Sequence, residues 1–265
     1  MENATKALLI AAGIMLAIMI LSLLLVGYNQ ISAYYTAKHE VKEIQQLADF
    51  NKIFQNYNRE KIRGTDMLSL MNRIIDYNER LSYDNGKQYP RIQVTIDLQG
   101  HIDEFQYTSS PRTSIFYDKS RNGVITNKLG SDRVEDKNLV KITEIENEII
   151  NNNPELSLTS GKLQQISSNI DKIMIDESRS DDDDYKKRDV DKRMEILVNI
   201  LGKDKQSTIN SRMDRIKDIA CQYYEFTQFK RAYFDCTGTI LDENTGRIEE
   251  MNFEVRTNGG KVVFN

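Results

Sequence analysis

An α+β protein hung from one transmembrane helix is predicted by three features of the sequence. From Ala7 to Val26 the chain is apolar and carries no charge, roughly the 20 residues that cross a hydrocarbon core as a helix. Beyond that run, apolar residues recur mostly at spacings of three and four, the period of an amphipathic helix. In two places, near residues 92–98 and 232–255, they alternate with polar ones as in half-buried strands. The expected architecture is therefore an N-terminal transmembrane helix that continues into an amphipathic helix and packs, with further helices, against a small antiparallel sheet.

The apolar run reads as a retained anchor rather than a cleaved signal peptide. Lys6 supplies a positive start. The apolar core is nevertheless longer than that of a typical signal, which has about 7–15 residues. Val26-Gly27-Tyr28-Asn29 also lacks a small-x-small cleavage site. Ser22 and Gly13 are compatible with a span, because serine bonds back to its own helix and glycine is common in membrane helices. Residues 1–27 form this anchor. No proline occurs before Pro90 and no glycine between Gly27 and Gly64, so the helix has no reason to stop at the surface. Ile31, Tyr34, Tyr35, Val41, Ile44, Ala48, Phe54 and Tyr57 mark its stripe.

Gly64 breaks this pattern and Thr65 is placed to cap the next helix, whose apolar face is Met67, Leu68, Leu70, Met71, Ile74, Ile75 and Leu81. Asp84-Asn85-Gly86 follows as a turn. After Pro90 a strand carries Ile92, Val94, Ile96 and Leu98, and Gly100 is expected to turn it into a hairpin with residues 102–107. Residues 28–108 thus hold the helical extension, the second helix and the first strands.

Residues 109–205 have the texture of an insertion. A turn-rich stretch from Ser109 to Asp136 precedes a helix marked by Leu139, Ile142, Ile145 and Ile149, which Pro154 forbids from continuing. A further helix runs from about Gly161 to Ile175. The run Asp181-Asp182-Asp183-Asp184 and Lys186-Lys187-Arg188 shows no apolar period, and residues 176–193 are expected to form a disordered acidic surface loop. Met194, Leu197, Ile200 and Leu201 then mark a short helix ending at Gly202.

The last segment, 206–265, is predicted as a helix followed by a β-meander and packs with 28–108 as one domain. Ile209, Met213, Ile216, Ile219, Ala220 and Tyr223 mark the helix. Ala232, Phe234 and Cys236 alternate on a strand, residues 242–246 turn, Ile248, Met251, Phe253 and Val255 return, and residues 261–264 add a final strand. Tyr223, Tyr224, Phe226, Phe229, Tyr233 and Phe234 are dense enough to suggest a stacking platform, but a helix laid on a sheet needs such side chains as core.

With 36 basic and 40 acidic residues and a net charge of −4, no basic face is concentrated enough for a phosphate backbone, so no nucleic-acid partner is expected. His39 and His101 are the two histidines, and the chain contains no Cys-x-x-Cys, His-Glu-x-x-His, Gly-x-Ser-x-Gly or glycine-rich phosphate loop. The acidic pairs Asp103-Glu104 and Glu249-Glu250 are chance neighbours whose side chains diverge on a strand. The aspartate run lacks the alternation of a calcium loop. Asp242 and Asn244 are spaced like its first ligands, but Gly246 arrives one position early and Phe253 stands where a glutamate is needed. No catalytic, cofactor-binding or metal residues are assigned. Arg63-Gly64-Thr65-Asp66 resembles an integrin tripeptide only with an insertion, and reads as helix capping.

Cys221 and Cys236 could pair in an oxidising compartment, yet two buried thiols fit equally well. The flanks give sidedness a slight lean. Lys6 lies just before the span and residues 28–37 just after it are uncharged, which favours the N-terminus inside and the body outside the cytoplasm.

The opening Met1-Glu2-Asn3-Ala4-Thr5-Lys6-Ala7-Leu8, the pattern Phe50-Asn51-x-x-Phe54-x-x-Tyr57, Arg63-Gly64-Thr65-Asp66 and Ser69-Leu70-Met71-Asn72 resemble a group of uncharacterised single-pass membrane proteins of low-GC Gram-positive bacteria. Tyr223-Tyr224-Glu225-Phe226-Thr227-Gln228-Phe229-Lys230-Arg231, Thr245-Gly246-Arg247 and Met251-x-Phe253 extend the likeness to the C-terminal part. The layout is also loosely similar to type IV pilins and pseudopilins, without their processing motif, since Glu2 lies outside the apolar run and Gly13 within it. The first resemblance implies no activity and no functional residues; with catalytic motifs missing, the expected role is that of a non-enzymatic component of a bacterial envelope or pilus/secretion-type assembly that acts by contact with the lipid bilayer and protein partners. A cytoplasm-facing membrane adaptor and a wall-acting envelope enzyme are the alternatives.

Overall fold

The computed structural model describes residues 2–81, 89–107, 115–118, 123–124, 133–175 and 183–265. The chain divides into two compact units, residues 1–53 and 54–265. The boundary falls inside the segment assigned from sequence to 28–108, and residues 28–53 belong to the same unit as the N-terminal apolar run.

Helix α1, Glu2–Gln55, is one uninterrupted helix of 54 residues. It has no internal proline, and its two glycines, Gly13 and Gly27, do not break it. The span and its extension are thus a single element, as the absence of stop signals predicts. Phe54, at its end, is buried at the start of the second unit.

The second unit is α+β. Strand β1 (Ile62–Arg63) leads into helix α2 (Gly64–Leu81), which buries Met67, Leu70, Met71 and Ile74. The predicted turn at Asp84-Asn85-Gly86 lies outside the described residues. Strand β2 (Gln93–Asp97) buries Val94 and Ile96, with Ile92 and Leu98 buried at its ends. The expected hairpin partner at 102–107 does not form. Gln99 and Gly100 both take positive φ, 51° and 78°, and the chain turns into a short 3-10 helix, Ile102–Glu104. Two positive-φ residues in a row are the geometry of a tight turn, and the 3-10 bonds that follow satisfy the next amides within the segment.

Strands β3 (Tyr117–Asp118) and β4 (Gly123–Val124) make a small ladder of their own, and β5 (Arg133–Glu135) pairs with β2. Most of the turn-rich stretch Ser109 to Asp136 lies outside the described residues. Helix α3 (Asp136–Asn151) ends before Pro154, which opens a 3-10 turn, Pro154–Leu156, as its missing N–H requires. Helices α4 (Ser160–Ser168) and α5 (Ile170–Ile173) follow, with the Thr159 side chain accepting from the Lys162 N–H at the start of α4.

Residues 176–182, including Asp181 and Asp182, are outside the described residues. From Asp183 the expected loop is instead helix α6 (Asp183–Leu201). Asp183 and Asp184 fall in its first turn, a place where the helix dipole favours acidic residue types. Arg193 and Leu197 are buried farther along it. Gly202, at φ 121°, ends α6, and helices α7 (Gln206–Ser211) and α8 (Met213–Arg231) complete the set. Helix α8 is the hub, in contact with α2, α3, α4, α5 and α7, so the inserted segment belongs to the same unit.

Strands β6 (Tyr233–Leu241) and β7 (Ile248–Val255) form the predicted hairpin, with a register shift around Thr237. Strands β8 (Thr257–Asn258) and β9 (Lys261–Val262) make a second, small hairpin. The main sheet runs β1-β6-β7-β2-β5. It is mixed rather than wholly antiparallel, because β2 lies parallel to β7 with Val94 opposite Met251 and Ile96 opposite Phe253. The meander is therefore interrupted: a strand from early in the chain, not the final strand, flanks β7.

Gly64 sits where α2 meets the end of α8. A Cβ there would lie 1.8 Å from the Phe229 carbonyl oxygen, and its own N–H donates to the Ala232 carbonyl at 2.9 Å. Its role is close backbone approach rather than the helix ending read from the sequence.

Candidate functional site: an apolar span and its helical extension

In the first unit, every large apolar side chain of the span faces outward. Leu8, Leu9, Ile10 and the large apolar residues from Ile14 to Val26 are 50–74% exposed, and no part of the most apolar stretch of α1 is buried within the chain. Helix burial in a soluble core would remove these side chains from water, and this structure offers them none. A bilayer does so at about 25 cal/mol for each Å² covered. Ser22 donates its hydroxyl to the Ile18 carbonyl at 2.8 Å, which satisfies the one hydroxyl of the run inside its own helix. Glu2 pairs with Lys6 at 3.0 Å, on the polar side of the span's start.

The extension beyond Gly27 is equally uncovered. Ile31, Tyr34, Tyr35, Val41 and Ile44 are 59–66% exposed, so the part of the stripe from Ile31 to Ile44, which predicts packing against further helices, is not covered within the chain. Tyr34 and Tyr35 touch edge to face, with ring centroids 5.9 Å apart. Thr36 bonds back to the Ser32 carbonyl at 3.0 Å. His39 lies near Glu43 at 3.4 Å and is largely exposed.

The second unit absorbs its other candidate groups into structure. The rings of Phe229 and Phe234 meet at 5.2 Å, Phe116 lies 6.4 Å from Phe229, and Phe105 bridges Phe116 and Phe264 at 5.6 Å each. Tyr223 and Phe226 are buried with them. Four of the six aromatics of the run, Tyr223, Phe226, Phe229 and Phe234, are core, as the place between helix and sheet predicts, while Tyr224 and Tyr233 are half-buried. Asp242 accepts from the Thr245 N–H at 2.7 Å and the Thr245 hydroxyl at 2.6 Å. These bonds, the hydroxyl first, hold its carboxyl below the usual range. The segment is a hairpin turn whose carboxylate serves its own backbone, with Gly246 at φ 66°.

Asp103 and Glu104 separate in role. Asp103 is exposed, while Glu104 meets the His101 ring at 2.7 Å and accepts from the Val262 N–H at 2.9 Å, clipping the C-terminal hairpin. Glu250 accepts from the Asn252 side chain at 2.9 Å. Both cysteines are free. Among the described residues, no group of three or more histidine, cysteine or carboxylate side chains is placed to hold a metal ion.

Three polar arrangements have no signal in the sequence. Glu225, 1% exposed, accepts from the Ile115 N–H at 2.7 Å and so pins that loop to α8. Asp235 accepts from Arg256 and from the Lys61 N–H, both at 2.8 Å, and Arg256 also reaches Glu60 at 3.1 Å. This cluster fixes the chain where it enters β1. Tyr223 donates to Glu146 and Tyr107 to Asp171. Both pairings join segments far apart in the chain, beyond the reach of local pattern.

Burial, then the charge of Glu146, pushes the Tyr223 phenol up to about 12, and burial, then the bond to Asp171, does the same for Tyr107. An unfolded tyrosine ionises near about 10, so the folded chain keeps protons that the unfolded chain releases. The stability these phenols contribute is present below about pH 10 and is lost as pH rises toward about 12. Tyr223→Phe should make the fall in melting temperature across that window shallower than in the wild type. An identical slope in both chains would show that this phenol is not involved.

No protein-family model matches the chain, and neither a curated protein nor a solved structure is similar to it. Function is therefore inferred from the geometry alone. The geometric fact that bears on it is α1, by length and composition apolar enough to cross a membrane and unburied throughout its apolar stretch.

Proposed function

We propose that this chain is a membrane-tethered protein without catalytic activity that acts by contact, as a component of an envelope or secretion-type assembly, with its α+β body outside the cytoplasm. The observation that carries this reading is the uncovered span of α1 in a chain whose residues 54–265 form a separate compact unit. Such a division suits a tether and a presented body. The side of presentation rests on Lys6 before the span and the uncharged residues 28–37 after it. Contact rather than catalysis is supported by the way Asp242, Glu104, Glu225 and Asp235 each accept from a backbone N–H of the fold itself.

Sidedness tests the proposal. In a chain with Cys221 and Cys236 replaced by serine, the exposed Ser207 is changed to cysteine and intact cells are treated with a membrane-impermeant maleimide. Labelling before lysis is expected. Labelling only after lysis would put the body in the cytoplasm and replace this reading with that of a membrane adaptor.

A further inference from the structure

We infer that the extension of α1 is a dimerisation stalk, and that the occupant of its uncovered stripe is the same stripe of a second copy, in a parallel, in-register coiled coil. The inference deepens the tether reading and rests on α1 spanning the membrane.

A repeat of seven residues threads α1. Its two seam positions are Tyr34, Val41 and Ala48 on one row, and Ala37, Ile44 and Asn51 on the other. None of the six is charged, although Lys38, Glu40, Lys42, Glu43 and Asp49 fall among them in sequence. That is the arrangement of a coiled-coil seam, in which side chains from one helix insert between four of the other. Tyr34, Val41 and Ile44 are 64%, 63% and 66% exposed, Ala37 and Ala48 are exposed and Asn51 is half-buried, and the exposed Ile31 and half-buried Leu47 widen the stripe on its two sides.

The bilayer selects the occupant. Two copies anchored by the same span have their helices pointing the same way, with each residue at the same height. A stripe on one copy is thereby held opposite the identical stripe on the other, as a closed two-fold pair requires. The seven-residue rows also continue upstream into the span through Gly13, Leu16, Ile20, Leu23, Gly27 and Gln30. Small residues such as Gly13 and Gly27 allow close helix approach within lipid.

Flanking charges agree with a parallel pair. In that arrangement a residue just before one seam row faces the residue five places later on the other helix. Glu40 then faces Gln45 of the second copy, Lys38 faces Ala33, and Lys52 faces Leu47. No like charges meet. The stalk from residue 28 to residue 53 would stand about 39 Å long at about 1.5 Å per residue.

The test is disulfide cross-linking of the full-length chain in its native membranes. In the variant with Cys221 and Cys236 replaced by serine, single cysteines are introduced as V41C or I44C on the seam, and as H39C or Q46C on the opposite face. Mild oxidation is expected to give a covalent homodimer from V41C and I44C and to lose that product at H39C and Q46C, because a disulfide needs its Cα atoms within about 7 Å. Equal cross-linking at all four positions, none at the seam, or cross-linking only to a chain of different mass would overturn the proposal. The unmodified chain gives a second reading, in detergent micelles, where a protein mass of twice 30.7 kDa is expected. Val41→Asp should halve it, and a monomeric wild type would equally overturn the stalk. Failure of the tether itself would look different, since the chain would then be missing from the membrane fraction before any oxidant was added.

Discussion

Gly64→Ala should lower the melting temperature of the body by about 6–12 °C, corresponding to a loss of about 3 kcal/mol. The added Cβ would fall 1.8 Å from the Phe229 carbonyl oxygen and 2.9 Å from the Lys230 Cα. Both are backbone atoms, which cannot step aside as a flexible side chain can. Relief would require α2 to move away from α8. That movement would stretch the 2.9 Å bond from the Gly64 N–H to the Ala232 carbonyl and open the packing around Met67 and Phe229, both fully buried. Gly161→Ala is the matched control, because a Cβ there meets nothing within 4 Å, and a helical Gly→Ala exchange stabilises by up to about 1 kcal/mol. Thermal unfolding followed by circular dichroism compares the two. Equal melting temperatures would mean that the two helices are not in close backbone contact.

Release from the membrane is the second large effect, and it needs two charges. The segment from Ala7 to Val26 includes seven leucines, four isoleucines and one valine. At about −0.3 to −0.6 kcal/mol each, these twelve favour insertion by about 4–7 kcal/mol. A single arginine near the middle costs about 2.5–3.5 kcal/mol, enough to weaken insertion but not to cancel it. Ile18→Arg and Leu21→Arg together cost about 5–7 kcal/mol and also delete two favourable residues. The double variant should therefore leave the lipid fraction, while each single variant is retained in part. The fold of the second unit should survive, since all of its buried apolar side chains lie at Phe54 and beyond.

What was legible in the sequence was whatever depends on neighbours along the chain. The continuity of α1 follows from missing stop signals, the buried face of α2 from Met67, Leu70, Met71 and Ile74, and the hairpin of β6 and β7 from two alternating runs around a turn. Long-range choices were not legible. Nothing in Val94 or Ile96 says that their neighbours are Met251 and Phe253 in a parallel pair, or that Arg133–Glu135 takes the other edge in place of residues 102–107. The start of α6 was hidden because a run of aspartates has no apolar period, although acidic residues at a helix start are favourable. Gly64 marked a break in pattern, but the carbonyl it accommodates belongs to Phe229, at the other end of the body's sequence. For the first unit, the stripe from Ile31 to Ile44 was visible as a period, and its lack of cover within the chain emerged only from the structure.

Flotation of carbonate-washed membranes, with an intact mass measured on the chain that floats, tests most directly whether α1 is a retained membrane anchor. The wild type should rise with the lipid at its full 30.7 kDa, while the double arginine variant remains at the bottom of the gradient. A wild-type chain recovered in the wash, or one shortened by loss of everything before Tyr28, would contradict the tether and everything built on it.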